Sequence, residues 1–191
     1  MPLYSWVLLL SLRLASLLHE PPVPVVAVVD TIPLHLKIAI SYVGTTELTG
    51  HNDGPKIEYI IRHGGGAPHA SYCAYFVSFC LDSAHVKTPT VRSGLARSFK
   101  LKNSIKANDV LIGKVKILPG TILVWQKGET INGHTGFTRY WFTKSGGTTE
   151  ANTSPGTTGS QANGGGIYDR TRSIEPANFF RITAFTPVTY K

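Results

Sequence analysis

The chain has 191 residues, 42% of them hydrophobic and 16% charged, which excludes a disordered protein and fits one domain with a substantial core. Its formal net charge of +8 points to an anionic partner, whether nucleic acid, a membrane surface or a wall polymer, without choosing among them. Only two cysteines are present, Cys73 and Cys80, and a disulfide scaffold is excluded. On one helix they stand about 10 Å apart along the axis, beyond the roughly 7 Å Cα separation that a disulfide tolerates.

Residues 1–29 read as a targeting segment. Trp6 to Leu18 is a mostly apolar run broken by Arg13, too short to span a bilayer and suited to the core of a secretory signal. Val25-Val26-Ala27 offers small residues for cleavage, although no Lys or Arg precedes the run and Pro21, Pro22 and Pro24 make an unusual spacer. The expectation is a signal peptide or uncleaved anchor, the alternative an N-terminal extension, with the folded domain occupying residues 30–191.

Thr31 can cap a first helix with Pro33 in its first turn, running to about Val43 and stopping at Gly44. Asp53 and Pro55 open a second helix, Lys56 to His63, which ends in Gly64-Gly65-Gly66. A third helix covers SYCAYFVSFCLDSA, with Ser71 as its N-cap. In it Cys73, Phe76, Val77, Cys80, Leu81 and Ala84 recur at helical spacing. Cys80 faces the core and Cys73 stands at the helix mouth, where unpaired backbone N–H groups and the dipole favour an anion. From Lys87 to Lys116 the chain turns basic, with Asp109 the one acid among Lys87, Arg92, Arg97, Lys100, Lys102, Lys106, Lys114 and Lys116. Such a run reads as a solvated surface, or as a patch holding an anionic polymer.

After Pro119-Gly120 the period changes to two, which marks strands. They are expected at Thr121 to Gln126, Gly133 to Phe142, Thr148 to Asn152, Ile167 to Arg172 and Phe179 to Phe185, with a hairpin at Gly146-Gly147 and a polar loop from Thr153 to Gly166. Helices first and strands second make an α+β domain, N-terminal helices packed on a small antiparallel sheet.

A cysteine nucleophile needs a base and an orienting group. Of seven histidines, those at 19, 35, 51, 63, 69 and 85 read as ordinary surface residues. His134 opens a strand in GHTGF, between glycines that permit close approach. Glu150 and Asn152, at i and i+2 on the next strand, point to one face. One of them accepts the Nδ1–H of His134 and leaves Nε2 for the thiol, while the other lines the cleft. A metal site of His63, His69 and Cys73 is a rival with no recognised ligand spacing.

The order SYCAYFVSFC, GHTGF, TTEANTSPG resembles the CHAP domains, cysteine amidohydrolases/peptidases of the NlpC/P60 and papain-like kind, over roughly His35 to Tyr168. The lead-in LKIAISYVGTTELTGHNDGPKIEYII is similar to the two helices before the cysteine in peptidoglycan hydrolases of this group. The chain departs from the pattern at Tyr72, where tryptophan is usual, and at Ala151, which replaces a glycine. The resemblance implies Cys73 as nucleophile, His134 as base, Glu150 and Asn152 as polar partners, and no cofactor or metal. It also implies peptidoglycan or a similar wall peptide as substrate, cut at the muramoyl-L-alanine amide or within the stem or cross-bridge. The same reading expects a monomer with no nucleic-acid partner and no membrane span, acting outside the cell or in the envelope, or as a phage lysin released at lysis. The alternative is a non-catalytic basic protein that binds wall polymer or nucleic acid.

Overall fold

A computed structural model of the chain describes residues 32–156, 164–174 and 180–190. The targeting segment at 1–29 and the Thr31 cap lie outside them. The fold is α+β: helices α1 (Leu34–Ser41), α2 (Pro55–His63) and α3 (Cys73–Ser83) precede a six-stranded antiparallel sheet. Its strands are β1 (Ile105–Lys106), β2 (Ile122–Lys127), β3 (Gly133–Trp141), β4 (Ser145–Thr153), β5 (Gly166–Ser173) and β6 (Phe180–Thr186), in the order β1-β6-β2-β3-β4-β5. No described helix is long and apolar enough to cross a membrane.

Each helix follows from its residues. In α2, Pro55 takes the first helical position and Arg62 and His63 face the negative end of the dipole. Ile57, Ile60 and Ile61 form its buried stripe. Asp53 does not cap this helix, as its position suggested. It folds the preceding loop instead, accepting hydrogen bonds from the backbone N–H groups of Leu48 and Thr49 and from the Thr49 hydroxyl. Helix α3 is buried on nearly every side, Ser78 included, because α1, α2 and the sheet all pack on it. Its cap is Tyr72 rather than Ser71, so Cys73 is the first helical residue.

Two apolar clusters hold the layers together. One joins α1, α2 and α3 to Ile122, Val124, Phe137, Ala151 and Ile167, and contains Cys80, fully buried as a free thiol. The other lies around Leu123, Trp125, Trp141 and Phe185. The basic stretch folds into a 3-10 turn (Ala96–Phe99), β1 and a short helix α4 (Ala107–Leu111), none of them expected from its charge. Several of its cations are engaged within the protein: Arg92 with Asp82, Arg97 with the carbonyls of Glu129 and Thr130, and Lys100 with Gln126.

Gly146 and Gly147 are not the hairpin turn, which falls between Trp141 and Ser145. They lie inside β4, paired with Trp141 and Tyr140, and a Cβ on Gly146 would come within 2.3 Å of the Tyr140 carbonyl. These glycines serve close approach rather than chain reversal. His35 is also not a surface residue. It is buried, its Nε2–H donating to Gly120 O at 2.7 Å and its Nδ1 accepting from the Tyr190 hydroxyl at 2.5 Å.

Candidate active site

The first turn of α3 and the start of β3 meet at Cys73 and His134. Helix α3 makes its most extensive sheet contact with β3. Gly133 and Gly136 leave the room that a side chain would fill: a Cβ at Gly133 would lie 2.4 Å from Trp125 O, and one at Gly136 would lie 2.7 Å from both Glu150 Cγ and Thr149 O. The strand register pairs Gly136 with Glu150, which sets the carboxylate beside the imidazole.

His134 is fully buried, and its Nε2–H donates to Glu150 Oε2 at 3.0 Å. Its Nδ1 has no partner at hydrogen-bonding geometry; the Cys73 sulfur is near enough to favour the protonated ring, and with Nε2 held by Glu150, Nδ1 is the nitrogen left for it. The nitrogens are therefore used opposite to the sequence expectation: Nε2 goes to the orienting group and Nδ1 to the thiol. The reason is the register, which brings Glu150 to the outer edge of the ring. Burial opposes a charge on the imidazole, but Cys73 and Glu150 together outweigh it, and the pKa is raised from 6.5 to about 9.

Glu150 is the hub of the site. Burial would raise its pKa, yet Arg172 and His134 lower it from 4.5 to about 2. Arg172 grips it with two bonds, Nε to Oε1 at 2.8 Å and Nη2 to Oε2 at 2.5 Å. Thr148 adds a hydroxyl donor to Oε1 at 2.5 Å. The indole of Trp125 closes the ring of contacts, 5.2 Å from the His134 ring and 5.2 Å from the Arg172 guanidinium carbon.

Asn152 does not share the clean i, i+2 geometry with Glu150. A bulge interrupts β4 between Ala151 and Thr153, and Asn152 adopts φ +57°. Its side chain is buried with neither amide atom hydrogen-bonded. Ala151 points into the helical core instead of turning the strand. The Tyr72 hydroxyl is buried near Glu47 and the Asn152 backbone N–H, without a partner at hydrogen-bonding geometry; burial and Glu47 push its pKa up.

The chain matches no family model, no curated protein and no solved structure. The chemistry is therefore read from the side chains alone.

Of the four sequence candidates, Cys73, His134 and Glu150 form one connected set, and Asn152 lies beside it on the bulge. Arg172, Thr148 and Trp125 complete the set and were missed. Arg172 lies two strands from His134 in the sheet order, and no spacing in the chain links it to Glu150. Trp125 is the cross-strand neighbour of His134, legible only once the register is known. The rival metal set does not assemble. His63 stacks on Tyr59 and bonds its carbonyl, His69 bonds the His51 carbonyl, and no described group of His, Cys, Asp and Glu is arranged to hold an ion.

Proposed function

We propose that this protein is a cysteine hydrolase of the CHAP kind that cleaves an amide bond in peptidoglycan. The bond is either the muramoyl-L-alanine amide or one within the stem or cross-bridge peptide, and the enzyme acts in the cell envelope or outside the cell. One observation carries the reading: a buried imidazole held by a carboxylate on Nε2 presents its other nitrogen to a cysteine at the first position of a helix. Buried ion networks also serve structure alone. A buried Nδ1 left without a hydrogen-bond partner is a cost to a purely structural network and fits proton transfer.

In the proposed reaction the Cys73 thiolate attacks the amide carbonyl carbon, and the C=O π electrons move onto oxygen. The backbone N–H of Cys73 supports that oxyanion, helped by the helix N-terminus. Collapse breaks the C–N bond, and the Nδ1 proton of His134 passes to the departing amine. A water molecule then gives a proton to Nδ1 and attacks the thioester, releasing the acid and the thiolate. Glu150 keeps the ring oriented throughout, and Arg172 keeps Glu150 ionised.

The test is digestion of purified peptidoglycan by wild type and Cys73→Ala, with mass spectrometry of the soluble fragments. New amino termini on L-alanine identify an amidase, and shortened stems an endopeptidase. Release is expected to vanish in Cys73→Ala. Equal release by both proteins, or none by wild type from several wall types, refutes the reading. Wall binding that survives in Cys73→Ala without any cleavage by wild type points to the basic binding protein instead.

A further inference from the structure

A second feature stands beside the reaction centre. A cavity of about 560 Å³ is lined by Glu47, His51, Asn52, His69, Gly164 and Gly165. Its walls belong to the segments that carry the site. His69 lies four residues before Cys73, Gly164 N–H donates to Asn152 O at 3.0 Å, and Glu47 N–H donates to Gly165 O at 2.9 Å. Asn52 and His69 hold φ +56° and +62°.

The hydrogen bonds around this cavity fix what its side chains can offer. The only proton on the Thr49 hydroxyl goes to Asp53 Oδ2 at 2.6 Å, since a carboxylate can only accept. The 3.0 Å contact between Thr49 Oγ1 and His51 Nδ1 is then made with a proton on Nδ1, so that in the neutral ring the lone pair is on Nε2. His69 Nδ1 lies 2.9 Å from the His51 carbonyl and must also be the donor, so in the neutral ring its Nε2 too is the acceptor. Asn52 gives its backbone N–H to Glu47 Oε2 and one of its two side-chain N–H groups to His69 O. Glu47 can only accept. Glu47 and the two neutral imidazoles thus bring acceptors to one cavity, with no Lys or Arg among its described lining residues in a chain of net charge +8. They are not arranged as metal ligands. Hydrogen bonds of about 2.9 Å from a larger donor suit wider spacing than metal–nitrogen bonds of roughly 2.1 Å.

We propose that this cavity is a subsite for a protonated primary amine on the peptide whose amide Cys73 attacks. An ammonium group carries three donors, no acceptor and the sign of charge that Glu47 requires. The amine is either a free peptide N-terminus or the side chain of a diamino acid, and both present the same chemistry. This inference rests on the hydrolase reading for the identity of the ligand, but its test does not use activity.

The experiment is calorimetric titration of the full-length Cys73→Ala protein with three versions of one wall-type peptide containing lysine. The first is acetylated on Nα, the second on Nε and the third on both. One singly acetylated peptide is expected to bind about tenfold tighter than the doubly acetylated one, and which one identifies the amine. Adding Glu47→Gln, which retains an acceptor for Asn52 N–H, is expected to abolish that preference. A separate His69→Asn variant, whose new side chain tolerates the left-handed backbone, is expected to weaken it. Equal binding of all three peptides, no saturable binding, or a preference that survives both substitutions overturns the subsite. If wild type cuts walls while the peptides bind alike, only the subsite falls. If wild type cuts nothing while the amine preference holds, only the hydrolase reading falls.

Discussion

At the residue scale the site turns on Glu150, a carboxylate with no exposed surface between two cations, Arg172 and the His134 imidazolium. Glu150→Gln keeps the shape and removes the charge. It removes the counter-charge from the fully buried His134 and weakens the hold on the part-buried Arg172, which costs about 3–5 kcal/mol of stability. It also withdraws the support that holds His134 protonated. Activity on peptidoglycan is expected to fall about 10²–10⁴-fold, with the alkaline limit of the rate, set by His134 near pH 9, moving down. Arg172→Met has the opposite sign. The carboxylate is then shared with one cation instead of two, so His134 holds its proton more tightly and the alkaline limit moves up. A pH–rate profile of both variants separates this electrostatic role from simple loss of folding, which lowers the rate without moving its limits. The groups bearing on this pair are Cys73 through His134, Thr148 on β4, and Arg170 with Arg172 on β5.

At the scale of the elements, the β3–β4 register delivers the carboxylate, and Gly136 makes that register fit. It sits opposite Glu150, where a methyl group would press on Glu150 Cγ and on the Thr149 carbonyl. Gly136→Ala is expected to cost about 1–3 kcal/mol by overpacking. Because the backbone must also give way, it is expected to draw Glu150 off His134. Thermal melting and wall digestion at a temperature well below the midpoint check both halves: activity lost from a folded variant is the expected result, and full activity would show that the glycine serves folding alone. On the other side of the site, burial of α3 between α1, α2 and the sheet fixes Cys73 in depth. A helix carrying one apolar stripe would leave its first turn freer to fray.

For the whole molecule, His35 ties α1 to Gly120 ahead of β2 and to Tyr190 near the C-terminus. Burial lowers its pKa below 6.5, only partly offset by the bond to Gly120 O. The unfolded chain then binds a proton that the folded one refuses, so stability from His35 is complete above pH 6.5 and is lost as pH falls below it. His134 acts in the other direction. Its raised pKa contributes stability that is complete below pH 6.5 and is lost as pH rises through about 9. Glu150 contributes above pH 4.5 and loses its share as pH falls through about 2. Stability is therefore expected to peak near pH 6.5. His35→Gln should flatten the decline between pH 6.5 and 4.5, and His134→Gln the decline toward pH 9, in melting temperatures measured across the range. A decline between pH 6.5 and 4.5 that is unchanged in His35→Gln would show that other groups govern it.

The sequence by itself determined the class of fold, the three N-terminal helices, the five longer strands, and three side chains of one connected site. Each is written in local chemistry: the isoleucine stripe of α2, a cysteine opening an apolar helix, a histidine between glycines. Tertiary structure alone decided which imidazole nitrogen faces the sulfur, because that depends on the register between β3 and β4. It also brought in Arg172 and Trp125, which reach Glu150 and His134 from neighbouring strands, and Thr148, which bonds Glu150 from two residues earlier on β4. It turned Asn152 onto a bulge, buried His35, and set Gly146 inside a strand rather than at a turn. Local pattern reports what a segment prefers. Only packing fixes which side chains of distant segments share a face, and the chemistry of this site lies in that sharing.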